Sequence, residues 1–528
     1  METDVAVLVI LVAVAGLLIA SQFIRVPYPI LLVLGGLALG FFPDLPEVQL
    51  EPEVVLVAVL PPLLYSAAYF TPLRELRRNV KPITALAIGL VLATMVGVAW
   101  VAHAALDFGW AEAFVLGAIV SPTDPVAATA IAHRLKVPNR IVAIVEGESL
   151  INDGTALVAF KFAVAAVVTG TFSLVEATGD FFVTVVGGIA VGIVVGAAIA
   201  WVRRRINDPP VEVTIALFSG FFGYLPAEAL GVSGVLAAVT VGIYMGRLTS
   251  VLTTPTTRIQ GNAVWEIVQF LLNSALFVLV GLQLPEAIDG LDGLTTAEVI
   301  SDGLLIAGTV IVVRLLWVFP ITYLPRMLTP SRRRKSGPPP WRGTLVVAWT
   351  GMRGAVSLAA ALAVPLTVDG GGAFPHREEI VFLTFAVILV TLLVQGLSLP
   401  WLIETLGIDG IDDGTEREEN IARKRAAKAA LDRLEELSTE DWVRDDTAER
   451  VGGAYRYRYR RFSARFDDDD GESIQIEERS ESYQRLAREL LEAQRTTVIA
   501  MRDSGEINDD VLRIIERELD LEDSRLEI

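Results

Sequence analysis

A chain of 528 residues that is 53% hydrophobic, with mean hydropathy +0.53, is too apolar for an ordinary soluble protein and reads as membrane-embedded. Its net charge of −18 is uneven: from Thr405 onward 34 acidic residues stand against 21 basic ones, a net of −13, so the acidity belongs mostly to a tail and argues against nucleic-acid binding. The absence of cysteine excludes disulfides, thiol chemistry and thiolate metal sites, and three histidines (His103, His133 and His376), all near expected helix ends, argue against a metal or His-relay mechanism.

The first apolar run, 5–24, approaches the roughly 20 residues that span a bilayer. With Glu2 and Asp4 ahead of it, no basic n-region and no clear cleavage site, it reads as a retained helix rather than a leader. Hydropathy then predicts about thirteen crossings, near 4–24, 28–43, 53–70, 82–105, 110–132, 141–169, 179–202, 211–229, 232–246, 260–284, 301–325, 342–366 and 378–402. Loop charge orders them. Connections carrying Arg74, Arg77, Arg78 and Lys81, then Arg134, Lys136 and Arg140, then Arg203 to Arg205, then Arg247 and Arg258, then Arg332 to Lys335 are basic. The alternate connections hold Asp44, Glu47 and Glu51, then Asp107 and Glu112, then Glu176 and Asp180, then Glu286, Asp289 and Asp292; only the 366–378 loop is mixed. Basic loops face the cytoplasm, which places the N-terminus outside and the tail inside a cell membrane.

Three stretches interrupt the apolar pattern. The fifth crossing holds Ser121-Pro122-Thr123-Asp124-Pro125, where prolines remove helix hydrogen bonds on both sides of an acid. The twelfth holds Gly351-Met352-Arg353-Gly354, seven crossings later, and interrupted helices in corresponding halves point to a transport site between inverted repeats. Between them, Glu146-Gly147-Glu148-Ser149-Leu150-Ile151-Asn152-Asp153-Gly154 sets acids inside a crossing, where ionisable groups are costly and mark ion or proton paths. On a helix Ser149, Asn152 and Asp153 share one face.

The chemistry follows from burial. Low dielectric disfavours a charged carboxyl, while a dehydrated cation beside it favours the charged form, so one acid holds a proton or a cation but not both. That exclusion is the minimum machinery of antiport. Asp124, with Thr123 and carbonyls freed by the prolines, offers the oxygen ligands a hard cation prefers. Glu148 needs a cationic partner at depth, with Arg314 and Arg353 as candidates, and Glu146 either lines an entry funnel or faces water. Lys161 reads as snorkelling outward and Glu266 as a packing residue beside Trp265. Beyond residue 405 the chain turns charged; 415–437 and 482–501 read as amphipathic helices separated by Tyr455 to Arg461 and Asp467 to Asp470, with no nucleotide fingerprint.

These motifs, with Pro29 to Gly40 and Leu60-Pro-Pro-Leu-Leu-Tyr65, resemble the sodium/proton antiporters of the NhaP and animal sodium/proton exchanger branch, over about residues 5–404. The resemblance implies an all-α polytopic membrane protein: an inverted-repeat antiporter domain over 1–404 with two broken crossing helices, and an acidic helical cytosolic tail over 405–528 whose partner the sequence does not identify. It implies a homodimer in the lipid bilayer serving pH homeostasis, with Na⁺ or Li⁺, or K⁺, and H⁺ as substrates and no cofactor. Carried over residue by residue, Asp153 is the ion- and proton-binding acid, Asn152 its neutral neighbour, and Asp124, Thr123 and Ser149 complete a Na⁺ site. Glu148 would pair with Arg314, and Arg353 would sit at the second break. The family's Asn-Asp pairing is associated with electroneutral exchange, which Asn152 suggests here. One departure stands out: many members carry an acid on the third helix where this chain has Ser66.

Other classes fit less well. A channel would show a filter-like repeat or a pore ring, and neither is present. An enzyme would need a nucleophile with a base. A membrane sensor that had lost transport would not need Asp124, Asp153 and Glu148 all intact. K⁺/H⁺ antiport stays open beside Na⁺/H⁺ antiport.

Overall fold

The structure, a computed structural model, describes residues 26–42, 54–171, 174–289, 296–327, 341–369, 371–408, 415–464 and 471–526, together with 12, 14–21 and 23. The first expected crossing therefore lies largely outside the described residues, as do Asp44, Glu47, Glu51, Asp292, Arg332 to Lys335 and Asp467 to Asp470. The chain forms two compact units, Met1–Ile411 and Asp412–Ile528.

The first unit is helical. In order it contains α1 (Tyr28–Gly40), a π-helical turn (Val54–Val59) running into α2 (Leu60–Phe70), the short α3 (Leu73–Arg78), α4 (Val80–Ala105), α5 (Trp110–Val120), α6 (Val126–Arg134) and α7 (Asn139–Thr169). It continues with α8 (Leu174–Arg203), α9 (Pro209–Ala229), α10 (Gly234–Leu252), α11 (Pro255–Asp289), α12 (Thr296–Met327), α13 (Trp341–Trp349), α14 (Ala355–Leu362) and α15 (Arg377–Leu406). By length and composition, eight described helices suffice to cross a membrane, and three shorter apolar ones join them. The two punctuated crossings appear as helix pairs, α5 with α6 and α13 with α14. Their breaks have local causes: Pro122 and Pro125 lack backbone donors, and Gly351 and Gly354 carry no side chain to hold a helical turn.

Ends are set by familiar chemistry. Asp208 caps α9, its carboxylate accepting from Val211 N at 3.2 Å ahead of Pro209 and Pro210. Gly170, left-handed at φ +67°, stops α7. Small residues bring helices together where lipid offers no hydrophobic drive: Gly242 and Gly246 of α10 rest on the Tyr65 and Tyr69 carbonyls of α2, where a Cβ would collide. At the basic-loop end, Arg203 is buried rather than solvated in its loop. It pairs with Glu212 at 3.2 Å, and Thr257 donates to the same carboxylate at 3.4 Å, tying α8, α9 and α11. Lys161 reaches Glu228 at 2.9 Å in a partly exposed pair.

The second unit holds α16 (Thr415–Leu437), α17 (Asp445–Ala464), α18 (Gly471–Asp503) and α19 (Asp509–Leu526). Tyr455 to Arg461, expected as a separator, lies within α17, because alternating tyrosine and arginine interrupt no helix hydrogen bond. Within the unit, Arg495 binds Asp520 at 2.7 Å and Asp523 at 3.4 Å, pinning α19 to α18.

Candidate functional site

The two breaks satisfy one another. Asp124 N donates to Met352 O at 2.8 Å, and Arg353 Nε donates to Val120 O at 2.9 Å. Broken helices leave orphan backbone groups that hydrocarbon cannot solvate, so each break takes its partners from the other. The approach is close enough that a Cβ at Gly354 would collide with the Asp124 carboxylate and force it to move. Asp124 Oδ1 in turn accepts from Val126 N at 2.9 Å, an Asx turn just ahead of α6.

Arg353 does not join the ion pair considered for it. Its guanidinium donates to backbone carbonyls, Nε to Val120 O and Nη1 to Gly351 O, while Nη2 is buried without a hydrogen-bond partner, and its own N–H donates to Thr391 Oγ1 at 3.1 Å. Arg314 alone binds Glu148, with Nη1 on Oε1 and Nη2 on Oε2 at 2.9 Å, while Nη2 also donates to Val347 O at 3.0 Å. Both side chains are within 1% of full burial. From Glu148 the chain of bonds runs on: Thr123 Oγ1 donates to Glu148 Oε1 at 3.2 Å, and Asn152 Nδ2 donates to Thr123 Oγ1 at 2.8 Å. One network thus links α12, α7, the first break and the end of α13.

A cavity of about 480 Å³ lies against this crossing. Asp153 and Ser149 of α7 line it, as do Thr123 and Asp124 of the first break and Gly354 of the second. Asn152, although grouped with Ser149 and Asp153 by helical spacing, is not among the lining residues; its amide turns to Thr123 and it is 1% exposed. The cavity also takes in Glu146, Thr71 just past α2, His133 in the last turn of α6 and Glu266 about three turns into α11, and the ends of α2 and α6 there adjoin basic loops. The lining holds four carboxylates and neither lysine nor arginine. Two ionised carboxylates facing one cavity repel each other, and a proton or a cation between them relieves that repulsion.

Glu266 corrects an expectation: it is exposed to the cavity rather than packed beside Trp265, and Trp265 alone is buried. Gln269 and Asn273 line the cavity with it. The stripe Glu266, Gln269, Asn273, at helical spacing within an apolar helix, was the signal available in the sequence. Ser66 also lines the cavity, but its hydroxyl donates to Leu63 O at 2.9 Å, one turn back on its own helix.

Residues 8–405 match the family described as sodium/hydrogen exchanger, transmembrane. Over 528 residues the chain is 39% identical to an uncharacterised Na⁺/H⁺ exchanger of Mycobacterium tuberculosis, covering 98% of this chain and 96% of that one. It is 36% identical to a Na⁺/H⁺ antiporter of Aphanothece halophytica over 82% of this chain and 80% of the other. It is 34% identical to a sodium, potassium, lithium and rubidium/H⁺ antiporter of Bacillus pumilus over 84% of this chain and 67% of the other. In fold it is similar to the sodium proton antiporter of Methanocaldococcus jannaschii, with TM-score 0.61 at 19% identity over 77% of this chain and 99% of that one.

Proposed function

The chain belongs to the sodium/hydrogen exchanger family, and on that premise we propose that it exchanges cytosolic Na⁺ or Li⁺ for external H⁺, one for one, with ion and proton competing for Asp153. The observation that carries this reading is the meeting of Asp153 and Asp124, one from an intact helix and one from a broken helix, in a single acid-lined cavity. Asp153 accepts no hydrogen bond from a described residue, so its charge is left for a cation or a proton to balance. Thr123 and Ser149 supply neutral oxygens beside it.

The roles divide as follows. Asp153 titrates and binds; Asp124 is the second anionic ligand; Asn152, engaged with Thr123, keeps the α7 pair to a single negative charge. Glu148 and Arg314 hold the geometry, because they fasten Thr123 to α7 and to α12. Arg353 locks the crossing through carbonyls, and Glu146 and Glu266 draw cations into the mouth. The positive-inside rule applied to the loops beside that mouth puts it at the cytosolic face, with the N-terminus outside and the tail inside. Alternating access then moves the crossing and α7 as one body, exposing Asp153 to each side in turn, within a homodimer that serves pH homeostasis at the cell membrane.

The test is dequenching of a pH-sensitive dye in inverted vesicles on adding Na⁺ or Li⁺. Wild-type chain responds and Asp153→Asn does not; wild-type rates in Asp153→Asn would defeat the assignment. An imposed membrane potential leaves the rate nearly unchanged if exchange is electroneutral, and strong voltage dependence would overturn that point. A second reading, with K⁺ as cargo, draws on the Bacillus pumilus relative, whose name includes potassium; the same vesicles given K⁺ decide it.

A further inference from the structure

A hydroxyl on a buried helix ordinarily donates to a carbonyl one turn back. Many buried hydroxyls of this chain do so: Ser66 to Leu63 O at 2.9 Å, Ser219 to Ile215 O at 2.7 Å, Thr384 to Ile380 O at 2.8 Å and Thr391 to Val387 O at 2.7 Å. Ser357 does not. It is 1% exposed, and its Oγ has no hydrogen-bond partner. The cause is its position as the third residue of α14, where the carbonyls one turn back, those of Arg353 and Gly354, belong to the break. A buried polar atom left without a partner is destabilising, so its retention asks for an occupant.

The surroundings say which occupant. Ser357 lines the same cavity as Asp124 and Asp153. Gly354, the N-cap residue of α14, abuts the Asp124 carboxylate, and Ser357 follows in the first turn of that helix. The hydroxyl therefore belongs to the part of the wall that the second break and α14 give to the cavity. We infer that Ser357 Oγ is a ligand of the transported cation, so that the second break, like the first, contributes an oxygen and helps set which monovalent ion is held. This deepens the exchange reading and rests on it. Its consequence is mechanical as well: an ion held by both breaks and by α7 is released only when their relative positions change, which couples occupancy to the geometry of the crossing.

The experiment compares half-saturating concentrations of Li⁺, Na⁺ and Tl⁺ for proton exchange by the full chain in vesicles, in wild type, Ser357→Ala and Ser357→Cys. Cysteine keeps the size but replaces a hard oxygen with a soft sulfur, which disfavours Li⁺ and Na⁺ and tolerates Tl⁺. Ser357→Ala should raise the half-saturating Na⁺ and Li⁺ by about tenfold, as for loss of one contact to a charge, and leave the maximal rate within about twofold. Ser357→Cys should raise the Li⁺ and Na⁺ values while changing Tl⁺ little, so that the Tl⁺-to-Li⁺ ratio moves. A structural role would shift all three ions alike. Equal shifts in Ser357→Cys, unchanged constants, or a fall in maximal rate alone would each overturn the inference while wild-type exchange stands. Absence of exchange by the wild-type chain would overturn the exchange reading, and this inference with it.

Discussion

Replacing Arg314 with methionine leaves Glu148 buried with little to balance it. In the intact protein the guanidinium occupies both carboxylate oxygens and the Val347 carbonyl, and neither partner of the ion pair meets solvent. After the substitution the hydrogen-bond donor left to Glu148 among the described residues is the Thr123 hydroxyl at 3.2 Å, with Arg353 acting on it only through space. Removing one member of a buried pair costs about 3–5 kcal/mol because an uncompensated charge remains, whereas removing both charges is often nearly neutral. Arg314→Met and Glu148→Gln should therefore each lower the apparent melting temperature of the detergent-solubilised protein sharply, and the double variant should recover much of the loss. The coupling between two contacting residues of this kind is expected at about 2–3 kcal/mol. Exchange should fall in both single variants, since Thr123 and, through it, Asn152 depend on Glu148 for their position. A double variant no more stable than the sum of the singles, or an Arg314→Met protein that melts with wild type, would refute the reasoning.

Gly354→Ala places a methyl against the Asp124 carboxylate; exchange in vesicles should drop to background while the protein still inserts, and near-normal exchange would show that the breaks are looser than their contacts imply. Where a proton occupies the shared site, one-for-one competition requires the half-saturating Na⁺ to rise about tenfold for each unit fall in pH, with the maximal rate unaffected; a flat dependence would separate the proton and cation sites. Lys161→Ala removes a partly exposed pair to Glu228 at 2.9 Å, so it should cost less than about 1 kcal/mol and leave exchange kinetics unchanged in the same vesicle assay.

Much of the architecture is legible in residues alone because its causes are local. Apolar runs of bilayer length become α4 and α7 to α12, and the proline pair at 122 and 125 and the glycine pair at 351 and 354 become breaks wherever a helix needs donors or side chains they lack. The acids at 146, 148 and 153 announce themselves by their cost in hydrocarbon. In the tail, the same local reasoning went astray at Tyr455 to Arg461, where charge and aromatic content carry no helix-stopping chemistry and α17 runs through.

What the sequence by itself determined is a helical membrane protein with two broken crossings and costly acids between them, since hydropathy, proline and glycine act through the chain's nearest neighbours. The tertiary structure decided which acid meets which partner. It crossed the breaks so that Arg353 serves carbonyls rather than Glu148, turned Asn152 away from the cavity to Thr123, and brought Glu266 and Ser357 onto the walls around Asp124 and Asp153. These contacts join residues far apart along the chain; a local pattern such as the Glu266, Gln269, Asn273 stripe marks a polar face, but what that face meets depends on how whole helices pack.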